Sequence, residues 1–235
     1  MPERPTKRRR LVHGRRVGHR LRPRQQHLVD DLLPRLRIDI GDGGAVEPRT
    51  LFWPNARCVW LEIGFGGGEH LAWQAAANPD VGIIGCEPFV NGVAKLLAEI
   101  EDRDLANVRI HDGDARDLLD LLAPASLDRV FLLYPDPWPK ARHRKRRLIT
   151  AGTVERLARV MTDGAELRIA SDIPDYVRWT LVHILSDGRF DWTARRPADW
   201  RHRPSDWPRT RYERKALDSG RVPAYLTFIR ARRGG

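Results

Sequence analysis

The sequence of 235 residues is poor in several features that would assign it to particular classes of protein. It has only two cysteines, which excludes a fold held together by disulfide bonds. No apolar run approaches the roughly 20 residues that a membrane-spanning helix needs. The first residues contain no apolar segment like that of a signal peptide, so we expect no secreted precursor. No pair among the eight histidines has metal-site spacing, so we predict no metal. These absences favour a soluble, cytoplasmic protein.

Positive charge is abundant but unevenly distributed. The chain has 42 Lys and Arg against 31 Asp and Glu, a net charge of +11. Four segments hold the excess, residues 1–24, 140–147, 195–215 and 216–235, whose net charges are +9, +6, +5 and +3. The rest of the chain carries −12. Clustered Arg and Lys neutralise phosphates and release counterions, so a nucleic-acid partner is predicted. A membrane partner is not expected, because the basic runs lack an apolar face.

The order of apolar runs predicts one α/β domain. Residues 1–24 read as a basic, flexible N-terminal arm, and residues 25–235 as the domain. Strands and helices alternate, which is typical of a doubly wound, mostly parallel sheet with helices on both faces. Two closing strands with no helix signal between them predict an antiparallel pair at the C-terminal edge. The predicted strands are 58–64, 81–87, 108–110, 127–135, 164–172, 190–196 and 224–232; the predicted helices are 25–37, 69–77, 91–102, 115–122, 148–162 and 175–186.

A glycine-rich loop with acidic residues nearby predicts a ligand site. The sequence LEIGFGGG at 61–68 follows the first strand and precedes a helix, where glycines such as Gly64 allow a tight turn and close approach to a ligand. Glu87 ends the second strand, where a carboxylate can accept hydrogen bonds from both ribose hydroxyls. Glu62, just before the loop, would repel the pyrophosphate of a dinucleotide but suits the cationic groups of S-adenosylmethionine. Asp114, after the third strand, could reach an adenine amino group.

A second motif, YPDPWPK at 134–140, follows the fourth strand. Two prolines flank Asp136, and proline restricts the preceding residue to extended backbone. We therefore expect a stiff loop that fixes one carboxylate beside the crevice, as functional loops do. The alternative is a proline-rich turn around a buried tryptophan.

Together these motifs resemble a known family. LEIGFGGG, GCE at 85–87 and DGDA at 112–115 are similar to motifs of S-adenosylmethionine-dependent methyltransferases. YPDPWPKARHRKRR at 134–147 resembles the (Y/F)PDPW-x-K-x-R-H-x-K-R-R signature of bacterial tRNA (guanine-N7)-methyltransferases. Ser171-Asp172 and TRYE at 210–213 match two further motifs, and the resemblance runs from about residue 8 to 230.

The resemblance implies a class I, Rossmann-like methyltransferase fold and methylation of N7 of guanine 46 in the variable loop of tRNA. It implies that Asp136 is the catalytic residue, that S-adenosylmethionine is the cofactor and that tRNA is the partner. We expect a monomer rather than a stable oligomer. The implied donor-binding residues are Glu62, Gly64, Glu87, Asp114 and Asp136; the implied substrate-binding residues are Lys140, Asp172, Thr210, Arg211, Tyr212 and Glu213; the implied RNA-binding residues are Arg142, His143, Arg144, Lys145, Arg146 and Arg147.

Two other readings stay open on the sequence. One is a methyltransferase acting on another RNA or on a small molecule, although the basic run at 140–147 has no use in a small-molecule enzyme. The other is a non-catalytic RNA-binding protein on a methyltransferase fold, which the intact acidic residues disfavour. A dehydrogenase is a third and weaker alternative, because Glu62 and the PDPW loop do not suit it.

Overall fold

A computed structural model describes residues 16–39, 45–52 and 56–234, and most of the predicted N-terminal arm, residues 1–15, lies outside these ranges. The helices are α1 (Pro23–Asp31), α2 (Leu33–Leu36), α3 (Glu69–Ala77), α4 (Val90–Asp102), α5 (Ala115–Leu121), α6 (Ala151–Val160), α7 (Pro174–Leu185), α8 (Ala198–Arg201) and α9 (Arg211–Asp218). The strands are β1 (Cys58–Ile63), β2 (Val81–Cys86), β3 (Val108–His111), β4 (Leu127–Leu133), β5 (Met161–Ser171), β6 (Phe190–Trp192) and β7 (Ala224–Arg230). Short 3-10 helices cover Pro48–Leu51 and Ala141–Arg146.

The strands form one sheet in the order β3-β2-β1-β4-β5-β7-β6. The first five strands of this order run parallel, and β7 pairs antiparallel with both β5 and β6. The predicted doubly wound sheet with an antiparallel edge pair is therefore confirmed. Strand β2 is buried along its whole length because helices cover both faces, which explains its continuous apolar sequence. Within the described ranges, no helix is both long and apolar enough to cross a membrane.

The junction between arm and domain is ordered. Residues 16–22 form neither helix nor strand, and α1 begins at Pro23, inside the segment predicted as arm. Asn91 at the start of α4 accepts a hydrogen bond from the Gly18 N–H (2.7 Å) and donates to the His19 carbonyl (2.7 Å). The part of the arm nearest the domain is thus attached beside the N-terminus of α4.

The prediction of a helix-free connection between the last two strands is wrong. The connection contains α8 and α9, and β6 ends at Trp192, four residues before the predicted end. Thr210 is the N-cap of α9, where its hydroxyl accepts a hydrogen bond from the Glu213 N–H (3.2 Å). Threonine followed three residues later by glutamate is a recognised helix-start signal, so this helix was detectable in the sequence.

This cap generates a stability prediction. Thr210→Ala removes the acceptor for the Glu213 N–H, so we expect the free energy of unfolding to fall by about 1 kcal/mol. Thr210→Ser keeps a hydroxyl at the cap and serves as the matched control. Urea denaturation of both variants measures the difference, and equal stability of the alanine and serine variants would contradict the capping role.

Candidate active site

Four carboxylates gather at the carboxyl edge of the parallel strands. Glu62 lies near the end of β1, and Glu87, Asp114 and Asp136 follow β2, β3 and β4. Carboxyl ends of parallel strands meet at one edge of a doubly wound sheet, where such folds bind ligands. Glu87, Asp114 and Asp136 line one cleft of about 410 Å³ there, and Glu62 lines a smaller adjoining recess. The predicted positions of Glu62, Glu87 and Asp114 at the carboxyl ends of three strands match this placement, and the binding roles of the four residues stay predictions.

The glycine loop after β1 needs its glycines. Gly64, Gly66 and Gly68 have φ angles of 73°, 58° and 80°, in the left-handed region that favours glycine. Gly92 of α4 packs so closely on this loop that a Cβ there would lie 2.2 Å from the Gly66 carbonyl oxygen. The loop is therefore a close-packed turn that presents backbone to the cleft.

Glu87 holds this loop to the end of β2. Its carboxylate accepts hydrogen bonds from the Gly66 N–H (2.8 Å) and the Phe89 N–H (3.0 Å). Burial raises the pKa of Glu87, and the two backbone donors offset part of that rise. A carboxylate fixed in this way can still accept hydrogen bonds from a ligand through its remaining lone pairs.

Asp114 is buried in the cleft wall and caps α5. Its carboxylate accepts from the Arg116 backbone N–H (2.9 Å) and pairs with both Nε (2.8 Å) and Nη2 (2.6 Å) of the Arg116 guanidinium. The charge expected at this position is present, but Arg116 largely balances it. Arg116 also lines the cleft, and the sequence analysis did not single it out.

Glu62 is paired with a residue that the sequence analysis missed. It is only 3 % exposed, and its Oε2 lies 2.7 Å from Nδ1 of His70, which is itself buried at the start of α3. Nothing in the sequence marks this contact, because the two residues are brought together by the packing of α3 on the sheet.

Asp136 differs from the other three carboxylates in having no partner. It is exposed at the cleft rim and makes no hydrogen bond or ion pair with any residue that the structure describes. The surrounding loop removes part of its hydration, which raises the pKa of Asp136. Its carboxylate is therefore available to a bound substrate.

We had predicted extended backbone before each proline of the PDPW loop, but two of the preceding residues depart from it. Tyr134 and Trp138 have φ angles of 52° and 41°, which side-chain-bearing residues rarely adopt. The Tyr134 N–H donates to the Ala170 carbonyl (2.8 Å), and its ring stacks on Tyr212 with centroids 6.4 Å apart. These contacts override the preference for extended backbone.

The basic segment 140–147 turns its side chains in different directions. Lys140, Arg142 and Lys145 are exposed. Arg146 reaches the cleft, with its guanidinium 5.0 Å from the centre of the Trp138 ring. His143 packs edge-on against the same ring, and Arg144 pairs with Asp175 at 3.2 Å.

Arg147 contradicts its predicted role as an RNA contact. It is 1 % exposed, its Nε donates to the Pro137 carbonyl (2.8 Å), and its Nη2 pairs with Asp175. Its guanidinium lies 4.9 Å from the Trp179 ring centre and 5.4 Å from that of Tyr176. A phosphate cannot reach this buried group, which instead joins the PDPW loop to α7.

The predicted substrate-binding residues near the C-terminus also differ in their surroundings: some are exposed at the cleft, and others are buried or paired. Tyr212 is exposed at the cleft mouth, and the Arg211 guanidinium lies 4.8 Å from its ring centre. Thr210 caps α9, and Glu213 is buried against Arg203 at 3.2 Å. Burial, together with a hydrogen bond to Glu213, raises the pKa of Tyr225 to about 12. Asp172 pairs with Arg221 at 2.5 Å.

Over the described ranges, no group of three or more His, Cys, Asp or Glu is arranged to hold a metal ion.

The chain has the fold of the 16S rRNA methyltransferase KamB, with a TM-score of 0.53 at 15 % identity over 75 % of this chain and 89 % of that one. A variant of the 16S rRNA (adenine(1408)-N(1))-methyltransferase from Catenulisporales acidiphilia, solved with its cosubstrate SAM, gives a TM-score of 0.54 at 17 % identity over 77 % and 88 % of the two chains. The chain therefore has the same Rossmann-like fold as these two proteins.

Sequence comparison specifies the family. Residues 56–225 match a family model described as "Putative methyltransferase". The chain is 50 % identical to the tRNA (guanine-N(7)-)-methyltransferase of Rhodospirillum rubrum, over 98 % of this chain and 91 % of that one. It is 51 % identical to the enzyme of that name from Mesorhizobium japonicum, over 97 % and 98 % of the two chains. The chain belongs to the tRNA (guanine-N(7)-)-methyltransferase family.

The two arginine environments in the basic segment generate a prediction. Arg147→Ala removes a buried guanidinium with its ion pair, its hydrogen bond and its aromatic contacts, so we expect a loss of roughly 2–4 kcal/mol of folding stability. Lys145→Ala, two residues away but exposed, should change stability by less than about 0.5 kcal/mol. Chemical denaturation measures both variants, and a fully stable Arg147→Ala protein would contradict the supporting role.

Proposed function

We propose that this protein transfers the methyl group of S-adenosylmethionine to N7 of guanine 46 in the variable loop of tRNA. The observation that carries the proposal is the carboxylate of Asp136, which pairs with no described residue and lies at the rim of a cleft walled by the glycine loop, Glu87 and Asp114. Relatives at about half identity over nearly the full chain bear the name tRNA (guanine-N(7)-)-methyltransferase, which supports the substrate class.

The residues of the cleft fit the chemistry of the donor. S-adenosylmethionine supplies a methyl group on a positively charged sulfur and has an α-ammonium and a ribose diol. Glu62 can pair with the ammonium, and Glu87 can accept hydrogen bonds from the diol. The cleft volume of about 410 Å³ lies in the usual range for small-molecule sites. Glu62 and Glu87, which flank the glycine loop, disfavour a cofactor with phosphate groups there, and S-adenosylmethionine has no phosphate.

Asp136 acts on the base that receives the methyl group. Guanine N7 has an unshared electron pair, so no proton has to leave before it attacks the methyl carbon. The protein therefore contributes orientation and charge stabilisation. We assign to the Asp136 carboxylate the N1–H and 2-amino edge of the guanine, where it fixes the base and offsets the positive charge that the base gains.

The surroundings of Asp136 suit an unstacked base on a negatively charged strand. Aromatic rings of Tyr212 and Trp138 border the cleft mouth, and RNA-binding proteins stack splayed-out bases on such rings. Lys140, just before the adjacent 3-10 helix, and Arg142 and Lys145 within it are exposed, so they can contact phosphates and position the strand.

Incubation with methyl-labelled donor and unmodified bulk tRNA, followed by nucleoside analysis, tests the function directly. We expect label in 7-methylguanosine with the wild-type protein. Asp136→Asn keeps the shape of the side chain but removes its charge, and we expect turnover to fall by at least about a hundredfold. Donor binding, measured by calorimetry, should change much less, because other residues hold the donor.

Label in any other nucleoside would sink the assignment to guanine N7. Absence of label with normal donor and tRNA binding would instead favour a non-catalytic RNA-binding protein. Near-normal turnover of Asp136→Asn would remove Asp136 from the reaction while leaving the activity itself in place.

The basic segment generates a separate prediction about RNA affinity. Each phosphate contact contributes about 0.7–0.9 to the slope of log K against log salt. Replacing Arg142 and Lys145 by alanine should therefore lower the slope for tRNA binding by about 1.5. Arg57 and Arg103 are also exposed but lie near the amino ends of the parallel strands, away from the cleft. Their double alanine variant is therefore the control for net charge. Equal slopes for the two double variants would exclude the segment from the interface.

A further inference from the structure

His70 is buried at the recess that Glu62 also lines, and aromatic rings enclose its side chain. Its side chain is 1 % exposed, and its ring lies edge-on to Phe131 at 4.7 Å and to Trp207 at 5.6 Å between centroids. Over the described part of the chain, neither ring makes a hydrogen bond with the imidazole. Its two nitrogens instead face Glu62, 2.7 Å from Nδ1, and Gln74, 3.2 Å from Nε2. The protonation of the ring is therefore decided by these two neighbours.

The orientation of the Gln74 amide is fixed from two sides. Gln74 is buried on α3, one turn after His70. Its Nε2 donates to the Asp206 carbonyl oxygen at 2.9 Å, and its Oε1 accepts from Nδ2 of Asn78 at 3.2 Å. Rotating the amide by half a turn would set oxygen against oxygen and amino group against amino group. The atom that faces the His70 ring is therefore the amino nitrogen, a donor without acceptor capacity.

The amino group of Gln74 decides the tautomer of His70. A ring nitrogen that faces an N–H donor must accept, so Nε2 carries no proton and the single ring proton resides on Nδ1. We infer that His70 is held as the neutral Nδ1–H tautomer and is a positioning residue that orients the Glu62 carboxylate toward the α-ammonium of S-adenosylmethionine. This inference rests on the proposed function for the identity of the ammonium, but the tautomer does not depend on it.

A neutral histidine suits this position better than a charged one. An imidazolium would balance the charge of Glu62 and weaken its attraction for a cation, whereas a neutral N–H donor fixes the carboxylate without balancing its charge. Among the residues that the structure describes, His70 is the only hydrogen-bond partner of the Glu62 carboxylate. The negative charge of Glu62 is therefore oriented by the protein but left for the ligand.

The tautomer can be read without any ligand. Nitrogen-15 NMR of the full-length protein distinguishes protonated from unprotonated ring nitrogens, and the signals of His70 are identified by their loss in His70→Asn. We expect a protonated Nδ1 and an unprotonated Nε2 at neutral pH. A protonated Nε2, in either the other tautomer or the imidazolium, would overturn the assignment.

The positioning role is tested with two ligands and two variants. His70→Phe fills the enclosure but removes the hydrogen bond, whereas His70→Asn keeps an N–H near the position of Nδ1. We expect calorimetry to show S-adenosylmethionine binding about tenfold weaker to the phenylalanine variant and near wild type for the asparagine variant. Binding of 5′-methylthioadenosine, which lacks the amino-acid part, should change less than twofold in both.

The alternatives give different results. Equal weakening of both ligands in His70→Phe would show that His70 only supports the fold of the recess and would overturn the positioning role. Weakening in His70→Asn equal to that in His70→Phe would overturn the role of the N–H. A wild-type protein that binds neither ligand would remove the proposed function and the ammonium assignment, while the NMR result would still decide the tautomer.

Discussion

The cost of burying a carboxylate without partners is the constraint on which this site depends. Each of the three buried acids at the carboxyl edge of the sheet has its own compensation: a histidine for Glu62, two backbone N–H groups for Glu87 and a guanidinium for Asp114. Each compensation also fixes a piece of structure, respectively the start of α3, the glycine loop and the start of α5. Asp136 is the exception, since it lies at the rim and has no partner among the described residues. The acid assigned to the reacting base is thus the one of the four that no described residue holds by a hydrogen bond or an ion pair.

The positive charge of the chain is divided between two tasks in the same way. In the segment 140–147, Lys140, Arg142 and Lys145 face solvent, whereas the Arg147 side chain is buried in the protein interior. Asp175 is shared between Arg147 and the more exposed Arg144, so α7 anchors both the loop and part of the basic surface. A count of basic residues therefore overstates the charge available to RNA, and the direction of each side chain is what defines the surface.

Sequence patterns predicted the fold well, because alternating apolar runs and glycine-bounded turns are local signals. Helix α3 was predicted at its observed bounds, and the order of parallel and antiparallel strands was confirmed. The failures have physical reasons. Helix α9 was missed because its cap, Thr210 with Glu213, was interpreted only as a substrate contact. The burial of Arg147 and the pairing of His70 with Glu62 arise from tertiary packing, and no local pattern in a single sequence reports them.

The loop that carries Asp136 shows how these parts act together. Left-handed backbone at Tyr134 and Trp138 costs of order 1–3 kcal/mol each and persists only where neighbouring contacts over-determine it. Those contacts come from three directions: the Ala170 carbonyl on β5, the Tyr212 ring at the start of α9, and the two arginines that follow the loop. Arg147 holds the Pro137 carbonyl from below, and Arg146 lies over Trp138 from the cleft side. A loop held by its backbone and aromatic residues needs no contact from Asp136 itself. The carboxylate can therefore stay without a partner among the described residues and still occupy a fixed place.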